Sequence, residues 1–296
     1  MKLFFILLFP LMNFFYIKIW NKFSDKVPSG IGVLLSIPVL FYLEKNLDIM
    51  NIVLLLLFSF IYFLDDLIEI NFLYRILLQI FASIVIYYSY TFELNFIIFF
   101  LNLLFFLILV NTLNFQDGED LNIAILLILI FSIFYFCSEN KFTQNTSELI
   151  LIFLISFSLF NIKKNFLYYG DSGCYYISII IFLFVYNEIH NTFLIKLLIA
   201  TIIFPIIDVF YVIAYRIFNK QNLLSRNYLH LYQILSQKFN YKLYLLPNIL
   251  FSVLNISISL NFSLGINLII LLLIINIFLL FAIHSIVMRM SNKNEN

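Results

Sequence analysis

Residues 95–137 read NFIIFFLNLLFFLILVNTLNFQDGEDLNIAILLILIFSIFYFC and contain the pattern that decides the fold. One almost purely apolar run fills residues 95–113, and a second fills residues 121–137. Both approach the roughly 20 residues that an α-helix needs to cross a bilayer. A polar string, Asn111 to Asp120, joins them. The sequence therefore predicts two membrane-spanning helices with chemistry-bearing side chains in the turn between them.

The same composition extends over all 296 residues. Apolar residues make up 64% of the chain and charged residues 11%, against about 25% charged in an ordinary soluble domain. These values exclude a soluble globular enzyme, a disordered protein and a collagen-like fibre. The net charge of +1 offers no basic surface for nucleic acid. Cys137 and Cys174 lack the spacing of a metal site or a disulfide.

Eleven apolar runs predict an all-α polytopic membrane protein with about eleven transmembrane helices, forming a single integral-membrane domain over residues 1–296. Lys2 and the run after it are similar to a signal peptide, but no A-x-A cleavage site follows, so the first helix is predicted to be retained. The runs cover residues 3–20, 31–43, 49–64, 73–90, 95–113, 121–137, 148–160, 173–187, 193–218, 243–260 and 265–288.

The Lys and Arg residues predict the orientation. Thirteen of the seventeen follow or flank odd-numbered spans, and such an excess marks the cytoplasmic side. We therefore expect the N-terminus outside and the C-terminus in the cytoplasm. Seven of the sixteen carboxylates fall on the same side, in the loops after spans 3, 5 and 7. They are Asp65, Asp66, Glu69, Asp117, Glu119, Asp120 and Asp171.

Each acidic loop has a functional and a purely structural interpretation. Asp65, Asp66 and Glu69 share a helical face and suit a bridging cation, but a polar helix end also explains them. Asn-x-x-Asn-x-x-Asp-Gly-x-Asp is dense in hydrogen-bonding groups, although Asp117-Gly118 alone is a common turn. Gly-Asp-x-Gly at residues 170–173 can aim N–H groups at an anion, or can be a helix start capped by its own side chains.

A fourth loop, after span 9, is basic and contains His230. It suits a diphosphate bridged to the acidic loops by a metal, while the positive-inside rule alone is the alternative. Five of the six glycines also lie in or beside predicted cytoplasmic loops, including the loop after span 1, which favours sites in these loops over helix packing.

Taken in order, these strings resemble the bacterial polyprenyl-phosphate N-acetylhexosamine-1-phosphate transferases, glycosyltransferase family 4. That family includes the phospho-N-acetylmuramoyl-pentapeptide translocase and the enzymes that initiate O-antigen and enterobacterial common antigen synthesis. The resemblance runs from about residue 26 to 235. Its motifs are Lys26-Val27-Pro28-Ser29-Gly30-Ile31-Gly32; Asp65-Asp66 with Arg75 and Gln79; Asn111 to Asp120; Asn161 with Tyr168 to Gly173; and Asp208, Arg216 and Arg226 to Gln233.

The resemblance implies transfer of a sugar 1-phosphate from a UDP-sugar to polyprenyl (undecaprenyl) phosphate, releasing UMP and initiating a cell-surface glycan. It implies Mg²⁺, or Mn²⁺ in its place, a site on the cytoplasmic face of the bacterial inner membrane, and lipid-bilayer surroundings; it is compatible with a homodimer and implies no nucleic acid. The implied metal ligands are Asp171 and Asp117. The implied catalytic residues are Asp65, Asp66, Asp117, Asp120 and His230. The implied substrate-binding residues are Lys26, Asn111, Asn114, Asn161, Tyr168 and Arg226.

By the same resemblance, Asp65 and Asp66 engage the lipid phosphate, Tyr168 stacks on uracil, and Arg226 and His230 bind the diphosphate. Four positions depart from the family pattern: Leu73 for Lys, Leu121 for Gly, Cys174 for Ser and Tyr228 for His. The translocase's run of adjacent histidines is missing, so the muramoyl-pentapeptide enzyme is not indicated.

Phosphoryl transfer rests on positioning and charge neutralisation, and a phosphate monoester is largely dianionic at neutral pH. We therefore expect direct attack rather than a covalent aspartyl intermediate. Two alternatives stay open at this stage. An intramembrane prenyltransferase would also use Asp-rich motifs with Mg²⁺, and a cation transporter would use acidic groups without catalysis.

Overall fold

The computed structural model describes residues 2–36, 39, 49–68, 70–90, 95–222, 228–239 and 242–293. Within these ranges the regular structure is helical, with no strand. The α-helices are α1 (Lys2–Phe23), α2 (Ile49–Ile68), α3 (Phe72–Tyr90), α4 (Phe96–Gln116), α5 (Asn122–Cys137), α6 (Lys141–Asn161), α7 (Gly170–Asn187), α8 (Thr192–Phe218), α9 (Leu231–Lys238), α10 (Leu246–Leu260) and α11 (Ile266–Lys293). Two 3₁₀ helices cover Ile31–Leu35 and Lys242–Leu245.

The prediction of an all-α polytopic membrane protein is confirmed. In the described part of the chain, eight helices are long and apolar enough to cross a bilayer. Ten of the eleven predicted spans coincide with α-helices. α5 and α7 match predicted spans but are not among the eight. The predicted span 31–43 begins as a 3₁₀ helix, and most of its remainder lies outside the described residues.

The predicted seventh span, residues 148–160, is longer than the apolar run indicates. α6 begins at Lys141, where the side chain of Asn140 accepts the N–H of Phe142 and caps the helix. The first two turns of α6 contain polar residues, so the apolar run begins later than the helix does. The cap, rather than hydropathy, determines where this helix begins.

The chain divides into two compact units, residues 1–191 and residues 192–296. The single-domain organisation over residues 1–296 stays a prediction. In the first unit α7 is the central helix and packs against α2, α3, α4 and the 3₁₀ helix Ile31–Leu35. Its sequence from Cys174 to Phe184 is uninterruptedly buried, as expected of a helix that is apolar on all sides. α5 and α1 pack on α6.

Four glycines allow the start of α7 to touch the first turn of the 3₁₀ helix Ile31–Leu35 and its N-cap Gly30, backbone against backbone. Gly30 and Gly170 both have φ of +84°. A Cβ at Gly170 would lie 2.1 Å from the Gly30 nitrogen, and a Cβ at Gly32 would lie 2.2 Å from the Gly173 Cα. The glycines of these two motifs are therefore packing residues, which the loop positions in the sequence did not indicate.

The second unit is built on α8, which packs against α10 and α11. Phe204 of α8 stacks on Phe251 of α10, with ring centroids 3.9 Å apart. Asn255 and Asn276 exchange side-chain hydrogen bonds of 3.2 and 2.8 Å between α10 and α11. The short helix α9 packs on α11 and on the 3₁₀ helix Lys242–Leu245.

Candidate active site

The first turn of α7 gathers carboxylates from distant parts of the chain. Asp66, near the end of α2, accepts the N–H of Asp171 at 2.9 Å and the N–H of Ser172 at 3.1 Å. It also accepts the hydroxyls of Ser172 at 2.7 Å and Ser29 at 3.2 Å. The first N–H groups of a helix have no partner within the helix, and the helix dipole favours an anion there. Asp66 therefore caps α7 from outside its own segment.

Asp117 is a second carboxylate on the same helix start. Its Oδ2 accepts the N–H of Gly170 at 2.7 Å. Removal from water raises the pKa of Asp117 to about 8, the Gly170 N–H opposes the shift, and the charges of Asp171 and Asp66 add to it. From the sequence, the first N–H groups of this helix could be capped by the side chain of Asp171 or Ser172, or could bind an external anion. The structure instead supplies Asp66 and Asp117.

Arg75 of α3 joins two further carboxylates. Its Nε lies 2.8 Å from Oδ2 of Asp65, and its Nη1 donates to Oδ2 of Asp171 at 2.9 Å. The other oxygen of Asp65 accepts the Ile70 N–H at 2.6 Å. Burial, followed by the charge of Asp66, raises the pKa of Asp171 to about 7, although Arg75 opposes the shift. One guanidinium thus faces a cluster that carries more negative charge than it can balance.

We call Asp65, Asp66, Asp117, Asp171 and Arg75 the acid cluster. It unites the loops after predicted spans 3, 5 and 7, as their shared side of the membrane predicted. The four carboxylates come from positions up to 106 residues apart, and all of them lie at helix ends. Asn114 adds a side-chain hydrogen bond to Asp171.

Asn161 shapes the neighbouring loop. Its carbonyl oxygen accepts the N–H of Leu121, and its amide donates to the carbonyl of Leu167. These bonds connect the end of α6 to the turn that carries Asp120. The side chains of Asn161 and Asp120 are both buried, and Asn161 is 1% exposed. Leu121 has φ of +64°, the left-handed region that favours glycine. The geometry explains why the family pattern has Gly there, and it makes Leu121 a strained residue in this chain.

A largely buried chain of polar side chains leads to Arg75 and links four helices, α4, α3, α7 and α2. Asn111 donates to Oε1 of Gln79 at 3.1 Å, and Gln79 donates to the hydroxyl of Tyr175 at 3.0 Å. The Tyr175 ring stacks on Tyr62 at 3.6 Å, and the Tyr62 hydroxyl donates to the Arg75 carbonyl at 3.2 Å. Asn111 is therefore placed to support Arg75, a role for which the sequence carried no signal.

The remaining predicted site residues are more dispersed. Tyr168 is half-buried, its N–H donates to the Pro28 carbonyl at 2.8 Å, and its hydroxyl donates to Asn165. Lys26 is exposed, and its carbonyl accepts the indole N–H of Trp20 at 3.0 Å. Arg226 lies outside the described residues, as does Glu69.

His230 belongs to the second unit and stands immediately before α9. Its Nδ1 lies 2.8 Å from Oδ2 of Asp208, and the two side chains are 3% and 2% exposed. The sequence singled out both residues as parts of one resemblance motif but did not predict that they pair. Ser29, Ser172 and Arg75 were likewise motif members without an assigned role, and the structure makes them direct partners of the acid cluster.

The donor groups of the acid cluster fit Mg²⁺. Carboxylate and amide oxygens are the hard ligands that Mg²⁺ prefers, and proteins usually supply one or two carboxylates while phosphates and water complete the shell. Among the described residues no group of three or more His, Cys, Asp or Glu side chains could hold a metal ion on its own. Asp117 and Asp171, whose pKa values are raised by burial first and by neighbouring carboxylates second, are the residues that fit such a partial shell.

Residues 48–189 match the model of a known family, described as glycosyl transferase family 4. No curated protein matches the chain significantly. The matched segment contains all four carboxylates and the arginine of the acid cluster, and it ends before Asp208 and His230. The family match supports transfer of a sugar phosphate to a polyprenyl phosphate, and so favours this reaction over the transporter and prenyltransferase alternatives. Residues 48–189 thus match glycosyl transferase family 4, which supports the resemblance to the polyprenyl-phosphate hexosamine-1-phosphate transferases.

Proposed function

We propose that this protein transfers an N-acetylhexosamine 1-phosphate from a UDP-sugar to undecaprenyl phosphate, the first step in building a cell-surface glycan of the O-antigen or lipopolysaccharide type. An oxygen of the lipid phosphate attacks the β-phosphorus of the UDP-sugar. The bond from the β-phosphorus to the bridging oxygen breaks, and UMP leaves with that oxygen. The products are the polyprenyl-diphospho-sugar and UMP.

The observation that supports this proposal is the acid cluster itself. Arg75 provides one positive charge beside Asp65 and Asp171, and we assign it to binding the lipid phosphate. Asp117 and Asp171 are the residues that would hold Mg²⁺, which supplies charge neutralisation at the diphosphate oxygens when bound. Asp65 is held in place by Arg75 and Ile70, and is the carboxylate we assign to accept the proton of a monoprotonated lipid phosphate.

The four hydrogen bonds on Asp66 assign it a different part. Both of its oxygens are already engaged by Ser29, Asp171 and Ser172. Because two of these bonds come from the N–H groups of Asp171 and Ser172, we assign Asp66 to holding the start of α7, and with it Asp171, in position. Asn161 acts in the same way on the loop that carries Asp120. The proposal also assigns nucleotide binding to Asn114, Asn111, Tyr168 and Lys26.

The site is proposed to face the cytoplasm in the bacterial inner membrane, because UDP-sugars are cytoplasmic and thirteen of seventeen basic residues fall on that side of the predicted topology. The surrounding bilayer supplies the polyprenyl phosphate. A homodimer stays a prediction.

The deciding experiment measures UMP release by purified protein from a panel of UDP-sugars with undecaprenyl phosphate and Mg²⁺, and repeats the panel with Mn²⁺. We expect release with at least one UDP-N-acetylhexosamine and its loss in Asp171→Asn. Glu139→Gln is the matched control, because Glu139 is an exposed carboxylate at the opposite end of the first unit. No release with any UDP-sugar, or full activity in Asp171→Asn, would refute the proposal. A phospho-enzyme trapped on Asp65 or Asp66 would refute direct attack.

A further inference from the structure

Two polar aromatic side chains towards the end of α1 hold the segment formed by residues 26–32. The hydroxyl of Tyr16 donates to the Ser29 carbonyl, and the indole N–H of Trp20 donates to the Lys26 carbonyl at 3.0 Å. Tyr16 is half-buried and Trp20 is buried, and the polar groups of such side chains usually find a partner. Both find it in the backbone of the same short segment.

The 26–32 segment also lies against the loop that leads into α7. The Pro28 carbonyl accepts the Tyr168 N–H at 2.8 Å, and the Gly32 N–H donates to the Tyr169 carbonyl at 3.2 Å. Backbone bonds therefore fix the segment relative to the start of α7 on one side, while α1 holds it on the other.

One side chain of the segment reaches the acid cluster. The Ser29 hydroxyl donates to Oδ1 of Asp66 at 3.2 Å, and the same oxygen accepts the N–H of Asp171 at 2.9 Å. Together with the bond from Tyr16, these make three hydrogen bonds in series between α1 and Asp171, a residue proposed to hold Mg²⁺. A displacement of the Ser29 backbone would thus be transmitted to the acid cluster.

α1 is itself fixed within the first unit, so it can support this series of bonds. Phe9 meets Phe153 of α6 edge to face, with ring centroids 5.3 Å apart, and the Asn13 amide donates to the Ser156 hydroxyl at 3.0 Å. Phe9, Asn13 and Tyr16 follow one another at spacings of four and three residues, which places them on one face of the helix. The packed face of α1 therefore also carries the hydroxyl that holds Ser29.

We propose that Tyr16 is a positioning residue for the acid cluster. By holding Ser29 in place, Tyr16 fixes Asp66, and Asp66 in turn fixes the start of α7 for sugar-phosphate transfer. The proposal rests on the transferase function proposed above. It assigns a role to α1, which lies outside residues 48–189 and from which the sequence motifs took no residue. A phenylalanine would fill the same space, so the hydroxyl is the part that the proposal requires.

The test is Tyr16→Phe, which removes the hydroxyl and keeps the ring. The matched control is Tyr186→Phe, because the Tyr186 hydroxyl also donates a hydrogen bond, to Oδ1 of Asn102 at 2.7 Å. Tyr186 lies in the last turn of α7, which begins at Gly170, and is therefore about 24 Å along the helix from the acid cluster. Each variant loses one hydrogen bond, so both should unfold within about 6 °C of the wild type.

The activity measurement compares these variants in UMP release. We expect kcat to fall about 10- to 100-fold in Tyr16→Phe, as when the outer partners of metal ligands are removed, and to stay within about threefold in Tyr186→Phe. In a Ser29→Ala background Tyr16→Phe should lower kcat less than about threefold further, because the series of bonds is already broken. Losses that multiply in the double variant, or equal kcat values in Tyr16→Phe and Tyr186→Phe, would overturn the proposal.

Amide hydrogen exchange separates this proposal from the proposed function, because it needs neither substrate nor metal. The N–H groups of Asp171 and Ser172 donate to Asp66, so their exchange reports how firmly Asp66 is held. We expect the peptide that covers residues 170–175 to exchange about three- to tenfold faster in Tyr16→Phe than in the wild type or Tyr186→Phe.

Unchanged exchange in Tyr16→Phe would overturn the positioning role even if kcat falls. Failure of every UDP-sugar in the wild type would instead refute the proposed function. The exchange rates would still decide, in that case, whether Tyr16 holds the start of α7.

Discussion

Replacing Gly170 with alanine is expected to separate the two backbones that meet at the acid cluster. The new Cβ would lie 2.1 Å from the Gly30 nitrogen, 2.5 Å from the Gly30 Cα and 2.9 Å from Oδ1 of Asp66. Two of these atoms are backbone and cannot rotate away. The start of α7 must therefore move, and the bonds from Asp171 and Ser172 to Asp66 move with it.

The magnitude follows from two separate costs. A non-glycine residue in the left-handed region, here at φ of +84°, costs roughly 1–2 kcal/mol. Overpacking a close contact costs typically about 1–3 kcal/mol. Gly170→Ala should therefore destabilise the protein by about 2–5 kcal/mol, or about 4–20 °C in unfolding temperature at the roughly 2–4 °C per kcal/mol of domains of this size.

Alanine substitutions at two other glycines separate the cost of close packing from the cost of the positive φ. Gly32→Ala brings a Cβ to 2.2 Å from the Gly173 Cα but has no positive φ, so it carries the packing cost alone, about 1–3 kcal/mol. Gly265→Ala meets nothing within 4 Å, so it should stay within about 1 kcal/mol of the wild type. Thermal unfolding in detergent, followed by tryptophan and tyrosine fluorescence, measures all three. If Gly170→Ala unfolds at the temperature of Gly265→Ala, the close backbone contact does not exist.

Three further predictions concern the acid cluster and its loop. Leu121→Gly should have an unfolding temperature equal to or above that of the wild type, because the relief of about 1–2 kcal/mol of left-handed backbone strain offsets the loss of the side chain. Leu121→Val should have a lower unfolding temperature than the wild type. The reverse order would show that Leu121 is not strained. Arg75→Gln should lower the free energy of unfolding by about 1–2 kcal/mol, which is well below the cost of breaking a fully buried pair, because the Arg75 side chain is 25% exposed. The same substitution should lower the rate of UMP release at least tenfold. An unchanged rate would show that Arg75 has no part in the reaction. Without divalent cations the unfolding temperature should fall as the pH rises from 6 to 9. The pKa values of Asp117 and Asp171 are about 8 and about 7 in the folded protein, but near 4 in the unfolded chain. The folded state therefore binds more protons at pH 6, and this stabilisation is lost as the pH rises through the folded pKa values. Added Mg²⁺ should restore more stability at pH 9 than at pH 6, and an equal effect at both would contradict the shifts.

Much of the fold could be predicted because hydropathy and helix length reflect one physical requirement. A segment that crosses lipid must be apolar over about 20 residues and must satisfy its own backbone. Ten predicted spans were therefore found as helices. The start of α6 was missed because its first turns, from Lys141 onward, are polar and held by the Asn140 cap, which hydropathy does not detect.

The convergence of the acidic loops could also be predicted, because alternating spans place the loops after spans 3, 5 and 7 on one side. What the sequence could not show is which partner each carboxylate takes. Asp65 and Asp66 are adjacent and chemically identical, yet one faces Arg75 and the other caps α7. That division depends on the 100° rotation between neighbouring residues on a helix and on the contact through Gly30 and Gly170, neither of which a linear motif expresses.

The charge balance of the acid cluster links its architecture to its proposed chemistry. The N–H groups at the start of α7 stabilise Asp66 and Asp117, and Arg75 is shared between Asp65 and Asp171. These partners hold four carboxylates close together but supply only one full positive charge. At neutral pH the cluster therefore retains protons or recruits a cation, as the raised pKa values of Asp117 and Asp171 indicate. A diphosphate alone would be repelled, so in the proposed reaction cation and sugar nucleotide must bind cooperatively. Omitting Mg²⁺ should thus weaken UDP-sugar binding itself, and not only the rate of transfer.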